Sequence, residues 1–162
     1  MISRLETKEA EMVCQDVRMS IVLDDVLESL KPLAAFHEVL IHADCKPLCI
    51  YANARQMTEL LSNLLSNAIK YNKPGGEVWV TITEEDKEMI IRVRDNGMGI
   101  PKESLGRIFE RFYRVDKGRS RKQGGTGLGL SIVKHIAGYY HGTITVQSEL
   151  EAGTEFTVKI PI

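Results

Sequence analysis

Two asparagines and a lysine occur at helical spacing within an otherwise apolar segment. Asn63, Asn67 and Lys70 alternate with leucine pairs, and at about 100° per residue they fall within one narrow arc of a helix. The row continues through Gln56 and Glu59, with Tyr71 at its edge. Asparagine within a helix costs about half a kcal/mol relative to alanine, and amide oxygens suit hard divalent cations. The arc therefore predicts a metal and phosphate site, and a solvated outer face is the alternative interpretation.

A carboxylate followed by two glycines comes directly after the strand predicted over residues 89–94. The segment reads Asp95-Asn96-Gly97-Met98-Gly99-Ile100-Pro101. Asn-Gly after a strand usually marks a hairpin, but residues 102–112 have helical spacing, so these glycines serve another purpose. The D-x-G-x-G spacing lacks the further carboxylates of a calcium loop. A buried Asp95 could accept a hydrogen bond from an exocyclic amine while a flat ring approaches the bare glycine backbone.

A second glycine-rich segment opens the helix predicted over residues 127–140. It reads Gly124-Gly125-Thr126-Gly127-Leu128-Gly129-Leu130-Ser131. Free N–H groups at such a helix start form an anion cradle. The segment has no G-K-[ST] and is not a P-loop, and no strand precedes it, which argues against a dinucleotide fingerprint.

Strands and helices are predicted in an order that lacks regular βαβ alternation. Strands are predicted around 12–19, 39–43, 47–52, 77–83, 89–94, 143–148 and 155–160, and helices around 21–35, over the segment that carries Asn63, over 102–112 and over 127–140. The last two strands, separated by Glu151-Ala152-Gly153, are predicted to form a hairpin. This mixture favours an α+β two-layer sandwich.

Composition indicates one cytosolic domain. The chain has 162 residues, 43% of them hydrophobic, and a net charge of −1, so it can bury one core and has no global preference for nucleic acid or membrane. Its apolar runs fall short of the ~18 to 20 residues that span a bilayer, and it has no signal-peptide pattern. An odd number of cysteines in strand-like contexts predicts reduced, partly buried thiols at Cys14, Cys45 and Cys49.

Taken in this order, the motifs resemble the catalytic ATP-binding domain of sensor histidine kinases. That family shares its nucleotide fold with DNA gyrase, mismatch-repair ATPases and the large heat-shock chaperones. Residues 63–71 are similar to its N box, 95–100 to its first glycine box, 108–114 to its F box, 125–131 to its second glycine box, and Gly153-Thr154 to its third. The resemblance implies a Bergerat-type fold over residues 11–162, with a mixed sheet and three helices on one face. Residues 1–10 are expected to be a remnant of an upstream dimerisation-domain helix.

The resemblance also implies roles for individual residues in binding ATP and Mg²⁺. Asp95 would receive the adenine amino group with Thr154 nearby through water, Asn67 would ligate Mg²⁺ with support from Asn63, and Lys70 would reach phosphate. Arg114 would approach the γ-phosphate. The catalytic set is Asn63, Asn67, Lys70 and Arg114, and the further nucleotide contacts are Tyr71, Asp95, Gly97, Gly99, Ile100, Tyr113, Gly125, Thr126, Gly127, Leu128, Gly129, Leu130 and Thr154.

A basic segment over residues 107–122 lies between the adenine and phosphate candidates. Alone it would indicate a solvated loop or, less often, a nucleic-acid patch. Within the resemblance it corresponds to a mobile lid, and residues from about Arg114 to Gly125 are expected to gain order only when a γ-phosphate is bound.

Two features of the sequence bear on the reaction. Hydrolysing relatives carry a water-activating Glu four residues before the metal asparagine, where this chain has Asn63, and this favours transfer to a protein acceptor over hydrolysis. The histidines are His37, His42, His135 and His141, and none has an H-[ED]-x-x-[TN] setting on a predicted helix. The implied acceptor therefore lies on an upstream dimerisation domain.

The implied partners are that dimerisation domain and a response regulator, in a membrane-associated homodimer whose catalytic domain is cytoplasmic. Nucleic acid is not an expected partner. A degenerate nucleotide-sensing module and a serine protein kinase of the same fold remain as alternatives.

Overall fold

Five strands form the sheet on which the rest of the chain is assembled. The structure, a computed structural model, describes residues 13–113 and 129–162. The strands of the described residues are β1 (Gln15–Arg18), β2 (Leu40–Cys45), β3 (Cys49–Ala52), β4 (Glu77–Glu85), β5 (Glu88–Asp95), β6 (Thr143–Glu149) and β7 (Gly153–Pro161). The helices are α1 (Met19–Phe36), α2 (Ala54–Lys70) and α3 (Gly129–Tyr139), together with a 3-10 turn at Lys102–Ser104.

The five-stranded sheet has the order β2-β4-β5-β7-β6, with β5 at its centre. β2 runs parallel to β4, and every other neighbouring pair is antiparallel. Asp95, the last residue of β5, lies opposite Val78 on β4 and Thr154 on β7. The sheet therefore holds Asp95 between β4 and β7, at the C-terminal end of the central strand.

The three described helices pack on one face of this sheet. Alternate residues of the central strands, such as Val80, Ile91 and Val158, are fully buried, because successive side chains of a strand point to opposite faces. α2 covers them with its leucine pairs at 60–61 and 64–65, which have no exposed surface, and it packs against both α1 and α3. The predicted two-layer α+β sandwich with a mixed sheet is confirmed.

The start of α2 is held by residues that are distant in sequence. The side chain of Asn53 caps the helix by accepting a hydrogen bond from the Gln56 backbone N–H at 3.0 Å. The Tyr140 hydroxyl accepts from the Asn53 backbone N–H at 2.9 Å and donates to the Gln56 side chain. Gln56 is consequently buried, at 7% exposure, so the prediction that it continues the open polar row is wrong.

The prediction of a helix over residues 102–112 is also wrong. After the 3-10 turn, the hydrogen bonds from the N–H groups of Arg107, Glu110 and Tyr113 reach back three residues rather than four, and Phe112 has a φ of 65°. Gly106 costs a continuous helix about 1 kcal/mol. Tertiary contacts fix the turns instead, because Ile108 is buried and Phe109 packs edge-on against Phe156 with ring centroids 6.2 Å apart.

The cysteines are free thiols. Cys14 and Cys45 are half-buried, as predicted, whereas Cys49 is exposed on β3, because it lies on the outward side of the two-stranded sheet that β1 and β3 form. No helix of residues 13–113 or 129–162 is long and apolar enough to cross a bilayer.

Replacing Gly153 by alanine should destabilise the fold by about 2 to 4 kcal/mol. Its φ is 127°, and a Cβ there would lie 1.9 Å from the backbone oxygen of Asp95. Gly138→Ala is the matched control, since a Cβ on this exposed α3 glycine meets no atom within 4 Å and alanine should stabilise the helix by up to about 1 kcal/mol. Urea unfolding of both variants measures the difference, and equal midpoints would contradict the packing described at Gly153.

Candidate functional site

The carboxyl group of Asp95 is buried at the end of the central strand, with 8% of the residue exposed. One of its oxygens accepts a hydrogen bond from the Gly97 backbone N–H at 2.9 Å. Burial raises the pKa of Asp95 to about 6, although backbone hydrogen bonds from Gly97 and Thr154 act in the opposite direction. A ligand donor that binds the ionised carboxylate would lower this pKa again. Asp95 is thus a buried acceptor whose charged form a further donor would stabilise.

The loop after Asp95 is wedged between α2 and the β6–β7 hairpin. A Cβ on Gly97 would lie 2.6 Å from the Tyr71 backbone oxygen, and one on Gly99, whose φ is 74°, would lie 2.2 Å from the Glu149 backbone oxygen. The Met98 N–H donates to that Tyr71 oxygen at 3.4 Å. The fold's own backbone therefore requires both glycines, and approach of a ligand ring to them stays a prediction.

The polar face of α2 meets the start of α3. Asn63, Asn67 and Lys70 are all half-buried, and the Asn63 amide nitrogen donates to the Glu59 carbonyl at 2.7 Å. The Asn63 side-chain oxygen lies 3.1 Å from the position that a Cβ on Gly129 would take. Two motifs that are 66 residues apart in sequence are thereby brought into contact at one place.

Two side-chain amides, the buried Asn72 and the half-buried Asn96, fasten the Asp95 loop to the end of α2. The Asn72 side chain donates to the Glu77 carbonyl at 3.0 Å, and the Asn96 side-chain oxygen accepts from the Glu77 N–H at 2.7 Å. Both asparagines therefore bind the first residue of β4. Asn72 was not among the predicted site residues, although its position directly after the Asn63-to-Tyr71 segment was an available signal.

A hydroxyl pair closes the other side of the loop. Thr154 is buried, at 7% exposure, and its hydroxyl oxygen lies 2.8 Å from that of Ser148. The Ile100 N–H donates to the Ser148 hydroxyl at 2.7 Å. Ser148 was also missed, because the predicted turn at 151–153 would place Phe156 opposite it, whereas the observed turn lies one residue earlier and places it opposite Thr154.

The remaining predicted site residues of the described chain lie at the end of α2, at residue 113 and at the start of α3. Tyr71 ends α2 as its C-terminal cap. Tyr113 donates from its hydroxyl to Ser104 at 2.9 Å, and the Arg107 guanidinium lies 4.5 Å from its ring centroid, so both partners lie in the segment that precedes the F box. Gly129 and Leu130 begin the described part of α3 and are half-buried. The candidates outside the described residues are Arg114, Gly125, Thr126, Gly127 and Leu128, together with most of the predicted lid and the expected remnant at 1–10.

Comparison of the sequence with known proteins identifies the family. The HATPase_c model, described as histidine kinase-, DNA gyrase B-, and HSP90-like ATPase, matches residues 52–162. Sensor histidine kinase RppB of Synechocystis is 41% identical over 167 residues, covering 100% of this chain and 36% of the relative. Signal transduction histidine-protein kinase ArlS of Staphylococcus haemolyticus is 40% identical over 144 residues, covering 89% and 32%. The chain spans about a third of the length of these curated relatives.

Solved structures agree with this family. The mycobacterial sensor histidine kinase MprB superimposes with a TM-score of 0.80 at 27% identity, covering 92% of this chain and 97% of that one. Full-length ShkA in complex with AMPPNP has a TM-score of 0.80 at 30% identity, covering 93% of this chain and 31% of that one. The chain therefore belongs to the histidine kinase-, DNA gyrase B-, and HSP90-like ATPase family, and it is the ATP-binding catalytic domain of a sensor histidine kinase.

Proposed function

We propose that this domain binds Mg²⁺-ATP and transfers the γ-phosphoryl group to a histidine on an upstream dimerisation domain of the same protein. The phosphoryl group is then relayed to a response regulator. The whole protein is proposed to be a membrane-associated homodimer with this domain in the cytoplasm, and residues 1–10 are proposed to continue an upstream helix.

One observation carries the proposal, which is that two distant segments contact α2. The Asp95 loop contacts the helix end at Tyr71, and the start of α3 contacts the Asn63 amide. A buried acceptor, a row of amides with an ammonium, and a glycine-rich helix start are thus adjacent. These are the chemical elements needed to bind a flat amine-bearing base, a hard cation and phosphate.

The buried acceptor fits the adenine end of ATP. Asp95 would accept a hydrogen bond from the exocyclic amine, because its ionised form gains from each added donor. Thr154 lies opposite Asp95 on β7 and would contact the same amine through water. Gly97, Gly99, Ile100 and Tyr71 would border the base, and Tyr113 would border the nucleotide from the F-box side.

The polar face of α2 fits Mg²⁺ and phosphate. Asn67 offers a neutral amide oxygen, which suits a hard cation that retains most of its waters, and Lys70 offers a point charge for phosphate. Asn63 would hold the start of α3, where Gly129 and Leu130 contribute to the phosphate cradle with Gly125, Thr126, Gly127 and Leu128. Arg114 would contact the γ-phosphate. When bound, ATP supplies the phosphoryl group, and these residues orient it and balance its charge.

The residue at position 63 favours transfer over hydrolysis. An amide cannot serve as the base that activates water. The Asn63 amide nitrogen, moreover, already donates to the Glu59 carbonyl at 2.7 Å. We therefore assign Asn63 a supporting contact in the site.

Reconstitution of the transfer from its parts tests the proposal. The chain incubated alone with Mg²⁺ and γ-labelled ATP should acquire no label and release little phosphate, because the acceptor histidine is on another domain. Added dimerisation domain of the same protein should become labelled in a product that is stable in alkali and labile in acid. A label that survives acid would support a serine kinase instead. Tight ATP binding with no transfer to any added domain would support a nucleotide-sensing module.

A further inference from the structure

Ser148 lies in a cross-strand row with the two residues proposed to recognise adenine. Asp95 on β5 lies directly opposite Thr154 on β7, and Thr154 lies directly opposite Ser148 on β6. Directly opposed residues on neighbouring strands point to the same face of a sheet. The Thr154 side chain thus lies between the side chains of Ser148 and Asp95 on this face.

The hydroxyl group of Ser148 has a complete set of partners. It accepts a hydrogen bond from the Ile100 N–H at 2.7 Å, donates to the Gly153 carbonyl at 3.0 Å, and lies 2.8 Å from the Thr154 hydroxyl oxygen. A hydroxyl has one proton and two lone pairs. If the single Ser148 proton is given to the Gly153 carbonyl, which can only accept, then the contact with Thr154 requires Thr154 to donate its own proton to Ser148.

This arrangement, in which both Ser148 contacts are hydrogen bonds, gives Thr154 a defined polarity. With its proton directed at Ser148, the Thr154 oxygen offers only lone pairs to a ligand beside Asp95. Asp95, when ionised, is likewise only an acceptor. With this polarity the two side chains accept hydrogen bonds from a donor such as an amine, directly or through water, and offer no side-chain proton to a carbonyl.

We propose that Ser148 is a positioning residue that sets the selectivity of the site for a 6-amino purine by holding the Thr154 hydroxyl proton away from the ligand. The inference rests on the proposed function and deepens it. Ser148 acts through Thr154 and Ile100 and does not itself contact the base.

The test compares ATP with ITP, which carries a carbonyl in place of the 6-amino group, as ligands of wild type and Ser148→Ala. In wild type ATP should bind at least tenfold more tightly than ITP. In Ser148→Ala the Thr154 proton is released and can be donated to a carbonyl, so ATP should weaken about five- to tenfold and the ATP-to-ITP ratio should fall about tenfold. Ser148→Thr retains the hydroxyl and should restore the ratio.

The controls separate selectivity from loss of structure. Thr145→Ala removes an exposed hydroxyl from the same strand and should leave both affinities unchanged. Ser148→Cys keeps the side-chain volume with a weak donor, and should lower the ratio even if the alanine variant does not fold. Equal weakening of ATP and ITP in Ser148→Ala and Ser148→Cys would overturn the proposal, since it would indicate a purely structural role. Wild-type protein that binds neither nucleotide would overturn the proposed function as well.

Discussion

Asn67→Ala should reduce phosphoryl transfer to an added dimerisation domain by roughly 100- to 1000-fold, the usual loss when one electrostatic contact to a reacting group is removed. The reason is that the amide oxygen proposed to ligate Mg²⁺ is lost from the half-buried polar face of α2. Binding of adenosine, which has no phosphate, should change little, because Asp95 lies on a different element. Transfer rates measured over a range of Mg²⁺ concentrations, with adenosine affinity measured in parallel, check both parts.

Thr58→Ala is the matched control for this variant. Thr58 is an exposed residue of α2, nine residues before Asn67, whose hydroxyl donates to the Ala54 carbonyl within the same helix. Its replacement should leave transfer unaffected. Unchanged transfer and an unchanged Mg²⁺ dependence in Asn67→Ala would remove Asn67 from the metal site.

Asp95→Ala should weaken ATP binding by roughly 10- to 150-fold, which corresponds to the ~1.5 to 3 kcal/mol of a hydrogen bond to a charged group. Discrimination against GTP should fall at the same time, because the acceptor that meets the amine in ATP and the carbonyl in GTP is gone. Glu155→Ala is the control, since Glu155 on β7 lies opposite Arg94, the residue before Asp95 on β5. Successive side chains of a strand point to opposite faces, so Glu155 is on the other face from Asp95. Calorimetry with both nucleotides measures the effect. Equal affinity of wild type for ATP and GTP would contradict the assignment of Asp95 as the acceptor for the adenine amino group.

The same carboxyl group should give base binding a pH dependence. The pKa of Asp95 in the empty protein is raised from 3.8 to about 6 by burial. Folding therefore favours the protonated carboxyl group, and this contribution to stability is fully present below about pH 4 and is lost as the pH rises through about 6. A donor on the base prefers the ionised form. Adenosine affinity should therefore rise up to tenfold per unit towards pH 6 and then level off. Adenosine is used because phosphate groups titrate in the same range, and Asp95→Asn should abolish the dependence.

Much of the architecture is encoded by local patterns. The apolar stripe that includes Leu60, Leu61, Leu64 and Leu65 predicts α2 and its buried face, because helical periodicity can be read within one segment. The strand after residue 88 and the hairpin around Gly153 follow from alternation and turn residues for the same reason. The order of the motifs was enough to identify the family, and the structure then brought two of them, at Asn63 and Gly129, into contact.

Contacts between distant segments account for what the patterns missed. Gln56 has the spacing of the open row, yet Tyr140, 84 residues later, covers and binds it. Residues 102–112 have helical spacing, but anchoring of Phe109 on Phe156 and the Tyr113–Ser104 hydrogen bond stabilise successive turns instead.

The chemical types of the site residues are thus set by sequence, whereas their electrostatic state is a property of the folded chain. An aspartate before two glycines can be recognised as a candidate acceptor, but its raised pKa arises from burial between β4 and β7, which no local pattern specifies. Similarly, nothing near Thr154 in sequence indicates the direction of its proton. The direction that we propose depends on Ser148 on the opposite strand, because hydrogen-bond polarity depends on which donors and acceptors the tertiary structure brings within about 3 Å.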